Sequence, residues 1–207
     1  MVRGTIRWFG YAACALFGSA VVWGIYAMTR PVDEVMLTLG ESYEHVRQHS
    51  RSTLPAATDE KSINLYVTRP AIFRFSDSQF GFVTPPARFL SLYADQLGNV
   101  SLVTLSPQIE TLPLDASIAI LTDLQKQFQR AGWKPFQSRD NRPIEDTQAA
   151  RNAIRACTAP TTRWQAGNKY QVSVNIRCFG SRGHPNDERY VITLDLSPPV
   201  FEDSPAR

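Results

Sequence analysis

Along the second half of the chain the side chains alternate with a period of two. Tyr170, Val172, Val174, Ile176 and Cys178 are interleaved with Gln171, Ser173, Asn175 and Arg177, the pattern of a strand with one buried face. Arg189 to Leu196 repeats it, with Tyr190, Ile192, Leu194 and Leu196 on one side, after a polar loop from Gly180 to Glu188. Thr161 to Ala166 and Lys169 to Phe179 flank Gly167-Asn168, a pair tolerant of positive φ, which predicts a hairpin. Pro198 and Pro199 then end the fold ahead of a polar tail.

Elsewhere the period changes to that of a helix. Ile120, Leu121, Leu124, Phe128 and Ala131 form a stripe on a helix capped by Asp115 and stopped by Gly132. Thr147 to Cys157 reads as a second helix, with Ala150, Ala153, Ile154 and Cys157 at i, i+3, i+4 and i+7, so that Cys157 faces the core. A shorter helix from Ser42 to about Ser50 offers Tyr43 and Val46 inward. Between the helices, Ile63 to Val67, Ala71 to Phe75, Phe80 to Thr84, Phe89 to Ala94 and Asn99 to Leu105 are short strand candidates separated by turn residues. A division into two lobes near Leu112 is conceivable, but no residue-level repeat supports it.

The amino-terminal pattern is of another kind. Trp8 to Met28 is an uncharged run about as long as the ~20 residues a helix needs to cross a ~30 Å hydrocarbon core. Trp8, Phe9 and Tyr11 mark one end and Trp23 and Tyr26 the other, where amphipathic rings favour the headgroup boundary. Arg3 and Arg7 precede the run, whereas only Arg30 follows it closely, ahead of Asp33 and Glu34, which orients the start toward the cytoplasm. The competing reading, a cleaved signal peptide, needs a small-x-small site that Ala27-Met28-Thr29-Arg30-Pro31 does not offer. Cys14 lies within the run and reads as a small buried hydrophobe, and Ala20 and Gly24 form one small-xxx-small pair.

The expected organisation is therefore a cytoplasmic start over 1–7, an anchor over 8–28, a short linker over 29–35, an exported α+β domain over 36–199 and a tail over 200–207. In that domain two to three helices pack on a mostly antiparallel sheet. The location read from it is a bacterial inner membrane, with the domain in the periplasm. Cys157 and Cys178 are the only cysteines outside the anchor, an even number in an oxidising compartment, which predicts one structural disulfide.

Net charge is +3, but its distribution changes the picture. Residues 30–125 hold 7 basic and 11 acidic side chains, whereas 126–207 hold 13 and 8. Lys126, Arg130, Lys134, Arg139, Arg142, Arg151 and Arg155 cluster across two helices and their connection. This basic face suits an acidic protein or anionic headgroups, and its plain alternative is a solvated surface paired with local acids. Nucleic acid is not among the partners expected from so modest a charge.

Candidate chemistry is sparse. His45 and His49 have the spacing for one metal, but a zinc site needs a third ligand, and the glutamate that follows the first histidine in the metalloprotease helix is replaced by Val46. Asp59-Glu60, Glu145-Asp146 and Asp187-Glu188 fall in loops, where adjacent carboxylates serve solubility and capping. No Gly-x-Ser-x-Gly elbow or Gly-rich phosphate loop occurs. No metal or cofactor is expected. The function read from the sequence is a non-catalytic interaction module of the cell envelope, an inhibitor, an immunity-type protein or an accessory subunit, with an unknown protein partner and the inner membrane held through the first helix. The alternatives are an envelope hydrolase acting on cell-wall sugar or peptide through dispersed carboxylates, and a structural protein on the anionic membrane surface.

Overall fold

The computed structural model describes residues 31–57, 65–136, 141–180 and 188–199. The anchor expected over Trp8 to Met28 lies outside the described residues, as do Asp59-Glu60, Arg139, Asp187 and the tail. Among the described residues no helix is long and apolar enough to cross a membrane.

From Asp33 the chain forms an α+β domain. Its elements in order are β1 (Asp33–Leu37), α1 (Tyr43–His49), β2 (Leu65–Tyr66), β3 (Ala71–Phe75), β4 (Phe82–Val83), β5 (Phe89–Ala94) and β6 (Val100–Ser106). There follow α2 (Leu114–Arg130), β7 (Lys134–Pro135), α3 (Gln148–Arg155), β8 (Thr161–Ala166), β9 (Tyr170–Phe179) and β10 (Arg189–Ser197). Among the described residues ten strands make two sheets, one of three strands in the order β1-β3-β4 and one of seven in the order β2-β5-β6-β10-β9-β8-β7. All pairs are antiparallel except β1 with β3.

The larger sheet runs across the division near Leu112, so the two halves of the sequence share one sheet, and Leu112 itself bridges to Tyr190 of the last strand. β1 begins at Asp33, ahead of the domain start expected at residue 36, and buries Val35 and Leu37 against the core. Alternation in β9 and β10 is realised as read: Val172, Val174, Ile176, Ile192, Leu194 and Leu196 have no exposed surface. In the hairpin between β8 and β9 the turn spans Gly167 to Lys169, and only Gly167 adopts positive φ.

Helix α2 buries Leu114, Ile118, Leu121, Leu124 and Phe128, with Ile120 and Ala131 at the margin. Its N-cap is Pro113 rather than Asp115, which lies in the first turn. Proline suits a helix start because it lacks the N–H that has no partner there, and a carboxylate in that turn faces the positive end of the helix dipole. Helix α2 lies against β10 and β4, α3 against β9 and α1 against β1. Phe73, Phe75 and Phe82 of the small sheet meet Phe128 and Trp133 in an aromatic cluster that extends to Trp164 and Tyr170, with centroid separations of 5.0–6.4 Å. Edge-to-face pairs of this kind add to plain burial. Trp133 Nε1 donates to the Phe80 carbonyl at 2.9 Å, which satisfies the one polar atom of the indole.

Candidate interaction surface

Period-two alternation gives the seven-stranded sheet two unlike faces. One carries the core; the other carries the interleaved set. Register places Tyr66, Ser91, Thr104, Asp195, Ser173 and Arg163 in one row across that outer face. Of seven large hydrophobic side chains exposed among the described residues, Tyr66, Phe89 and Phe179 project from this face and Ile109 stands at its rim. An exposed aromatic group on a polar sheet marks a contact surface more often than an isolated apolar residue does.

The face is not flat. β6 pairs with β10 only from Val103 to Leu105, opposite Leu194–Leu196, and the two strands then part. Gln108, buried in the gap, takes the place of the β6 backbone beside β10. Its Nε2 donates to the Tyr190 carbonyl at 3.0 Å and to the Glu110 carbonyl at 2.7 Å, and its Oε1 accepts the Ile192 N–H at 2.9 Å. Ser106 Oγ donates to the Ile192 carbonyl at 2.7 Å. The splayed strands leave an open groove of about 480 Å3. Phe89, Ile109 and Val191 supply its apolar surface, Thr104, Ser106 and Thr193 its hydroxyls, and Arg88 and Arg177 its cations, with Glu110 on the rim. Both arginines are exposed. Arg177 Nη2 donates to Thr193 Oγ1 at 3.2 Å, and neither guanidinium has a carboxylate partner among the described residues.

The basic residues singled out by clustering have different fates. Arg151 is held by Asp115 and Asp146, whose hydrogen bonds raise its pKa, while Arg151 in turn lowers that of Asp146. Arg155 reaches Glu188 at 3.4 Å. Lys126 and Arg130 are exposed one turn apart on α2. Lys134 and Arg142 line a separate depression of about 420 Å3 with Pro135, Phe136 and Pro143. Four of the seven thus stand without a carboxylate partner among the described residues, and they do not form one lining.

Cys157 and Cys178 are bonded, with Sγ atoms 2.08 Å and Cα atoms 5.3 Å apart. Cys157 does not face the core as its helical spacing implies. The helix stops at Arg155, and Cys157 takes φ +57° and is exposed, whereas Cys178 is half-buried beside the core. Thr147 caps α3 by accepting the Ala150 N–H, and Ile154 alone of its stripe is fully buried.

His45 and His49 are exposed and stack at 4.0 Å, and His49 Nδ1 lies 2.9 Å from the His45 carbonyl. Among the described residues no three His, Cys, Asp or Glu side chains are grouped as metal ligands. Asp77 titrates below the usual carboxylate range. Burial opposes this, but the Phe80 and Gln79 N–H groups and the Tyr170 hydroxyl all donate to its carboxylate. Burial and that same bond to Asp77 push the Tyr170 phenol up. These interactions serve the 77–80 turn.

Grouping cations by their place in the sequence misses Arg88 and Arg177, because four strands distant in the chain assemble the groove. The one available signal is the alternation that sets Phe89 and Arg177 on the polar side of their strands. Comparison with models of protein families, with curated proteins and with solved structures finds no match.

Proposed function

We propose that the chain holds a non-catalytic protein-interaction domain at the periplasmic face of a bacterial inner membrane, anchored through Trp8 to Met28. It acts there as an inhibitor, an immunity-type protein or an accessory subunit of an envelope complex. The observation that carries this reading is the outer face of the large sheet, where Tyr66, Phe89 and Phe179 stand exposed, Phe89 next to Arg88 and Phe179 two residues from Arg177. Aromatic residues and arginine are the types enriched where proteins dock, and lysine is depleted there. The Cys157–Cys178 bond supports the compartment, since such bonds persist where thiols are not kept reduced.

The test is capture of partners by the full-length protein from crosslinked cells, with two variants alongside. Phe89→Asp/Phe179→Asp breaks the outer face, and Lys126→Glu/Arg130→Glu reverses the free cations of α2. One stoichiometric partner, kept by the second variant and lost by the first, is the expected result. Loss only in the second variant moves the contact to the basic surface. No partner in any sample removes the interaction reading.

A further inference from the structure

The charges around the groove have an order. Arg88, next to β5, and Arg177, on β9, flank it. Between the strands that carry them lies Glu110, which lines the groove with an exposed side chain and whose backbone carbonyl accepts from Gln108 Nε2 in the β6–β10 gap. Read across the strands the pattern is cation, anion, cation, with Phe89, Ile109 and Val191 as the apolar ground.

This order rules on the occupant. A two-fold axis through the groove would set Arg88 of one copy against Arg177 of the other, so a second copy of the chain is repelled. A continuous polyanion would place charge on Glu110. An enclosed cavity buries most of a small ligand, and this groove is open along its length, which favours a segment of a larger molecule. The complement is a segment with acids at its two ends and an apolar side chain between. β5 and β9 are three strand steps apart, on the order of 14 Å at ~4.8 Å each before the parting of β6 and β10 widens it, and the long arginine side chains reach inward over the difference. In an extended peptide residues i, i+2 and i+4 project to one side and span about 13 Å.

Building on the interaction-module reading, we infer that this groove binds an extended acid-x-apolar-x-acid segment of a partner protein. The two carboxylates sit on Arg88 and Arg177, and the central side chain lies over Phe89, Ile109 and Val191. Glu110 supplies selectivity: it disfavours a third acid at the centre.

The experiment titrates full-length protein, in a nonionic detergent, into fluorescently labelled peptides read by anisotropy. The probes are Asp-Ala-Phe-Ala-Asp and Asp-Ala-Asp-Ala-Asp. The first should bind about tenfold more tightly than the second, and Arg88→Glu and Arg177→Glu should each weaken it by about tenfold. Glu110→Gln should narrow the preference while leaving the first peptide's affinity in place. Equal binding of both peptides, wild-type affinity in both arginine variants, or no binding at millimolar protein overturns the inference. If a cellular partner is nonetheless captured and then lost with Phe89→Asp/Phe179→Asp, the interaction reading stands and only the segment is wrong. If both experiments are empty, both fall.

Discussion

Gln108 Oε1 accepts the backbone N–H of Ile192 at 2.9 Å, so a side-chain amide makes a contact that the β6 backbone would make in an unbroken ladder. The same amide donates to Tyr190, and the two residues it serves are buried members of β10. Here the strands part without leaving bare backbone groups, which is why the groove can exist beside a well-packed sheet.

Replacing that amide has a defined cost. Gln108→Ala strands the Ile192 N–H, while the Tyr190 carbonyl keeps its bond from the Leu112 N–H at 3.1 Å. One buried unsatisfied donor costs about 1–3 kcal/mol. A lowered urea midpoint with unchanged slope is expected, together with faster amide exchange at Ile192. Gln108→Glu can still accept from Ile192 but cannot donate to Tyr190, and it places a charge in a buried site. It should be the worse of the two above the carboxylate pKa.

The disulfide closes a loop of 21 residues between the end of α3 and β9. Chain-entropy arguments put its contribution at about 3 kcal/mol for a loop of this length. Reduction, or Cys157→Ala/Cys178→Ala, should lower the midpoint of thermal unfolding by on the order of 10 °C. The reduced wild type and the double variant should melt together, because the bond acts on the unfolded chain rather than through a packed Cys157.

What the sequence makes legible here is local. Val172, Val174, Ile192 and Leu194 declare their buried face by alternation, and Leu121, Leu124 and Phe128 theirs by helical spacing, since each pattern lies within one element. Asp33–Leu37 escapes notice because its partner is Ala71–Phe75, and a parallel pair between distant segments leaves no mark within either. Cys157 is misplaced by the helical pattern for a different reason: its position follows the end of α3 after Arg155, and a periodic stripe does not show where a helix stops. Arg88 and Arg177 share a groove only because β6 and β10 splay where Gln108 satisfies the parted backbone, an arrangement that no composition or spacing announces.

Tyr43 makes the fold sensitive to alkali. Burial pushes its phenol up from 10.0 to about 12, and the hydroxyl donates to the Pro55 carbonyl at 2.6 Å. A raised folded pKa means the protonated form is favoured in the fold. Its contribution is fully present below pH 10 and is lost as pH rises through about 12. Tyr43→Phe should be less stable at neutral pH by about 1 kcal/mol, from the lost bond. It should also show a flatter decline in melting temperature above pH 10. Some slope remains, because burial and the carboxylates of Asp77 and Glu188 also raise Tyr170 and Tyr190.

Arg151 and Arg130 have the same charge and opposite expectations. Arg151 joins the first turn of α2 to the start of α3 through Asp115 and Asp146, and its side chain is only 25% exposed. Arg130 ends α2 exposed, without a carboxylate partner among the described residues. Arg151→Ala should therefore lower the urea midpoint, and Arg130→Ala should leave it nearly unchanged. The loss at Arg151 should shrink in 0.5 M salt, where screening falls to a few ångströms. It should also shrink as pH falls through the depressed Asp146 pKa, because a lowered carboxyl pKa stabilises above the ordinary carboxylate range and not below its folded value. An Arg151→Ala/Asp146→Asn cycle isolates the pair: coupling at low salt that vanishes at high salt is the expected outcome. Equal effects of Arg130→Ala and Arg151→Ala would mean that the ion pairs do not tie the two helices together.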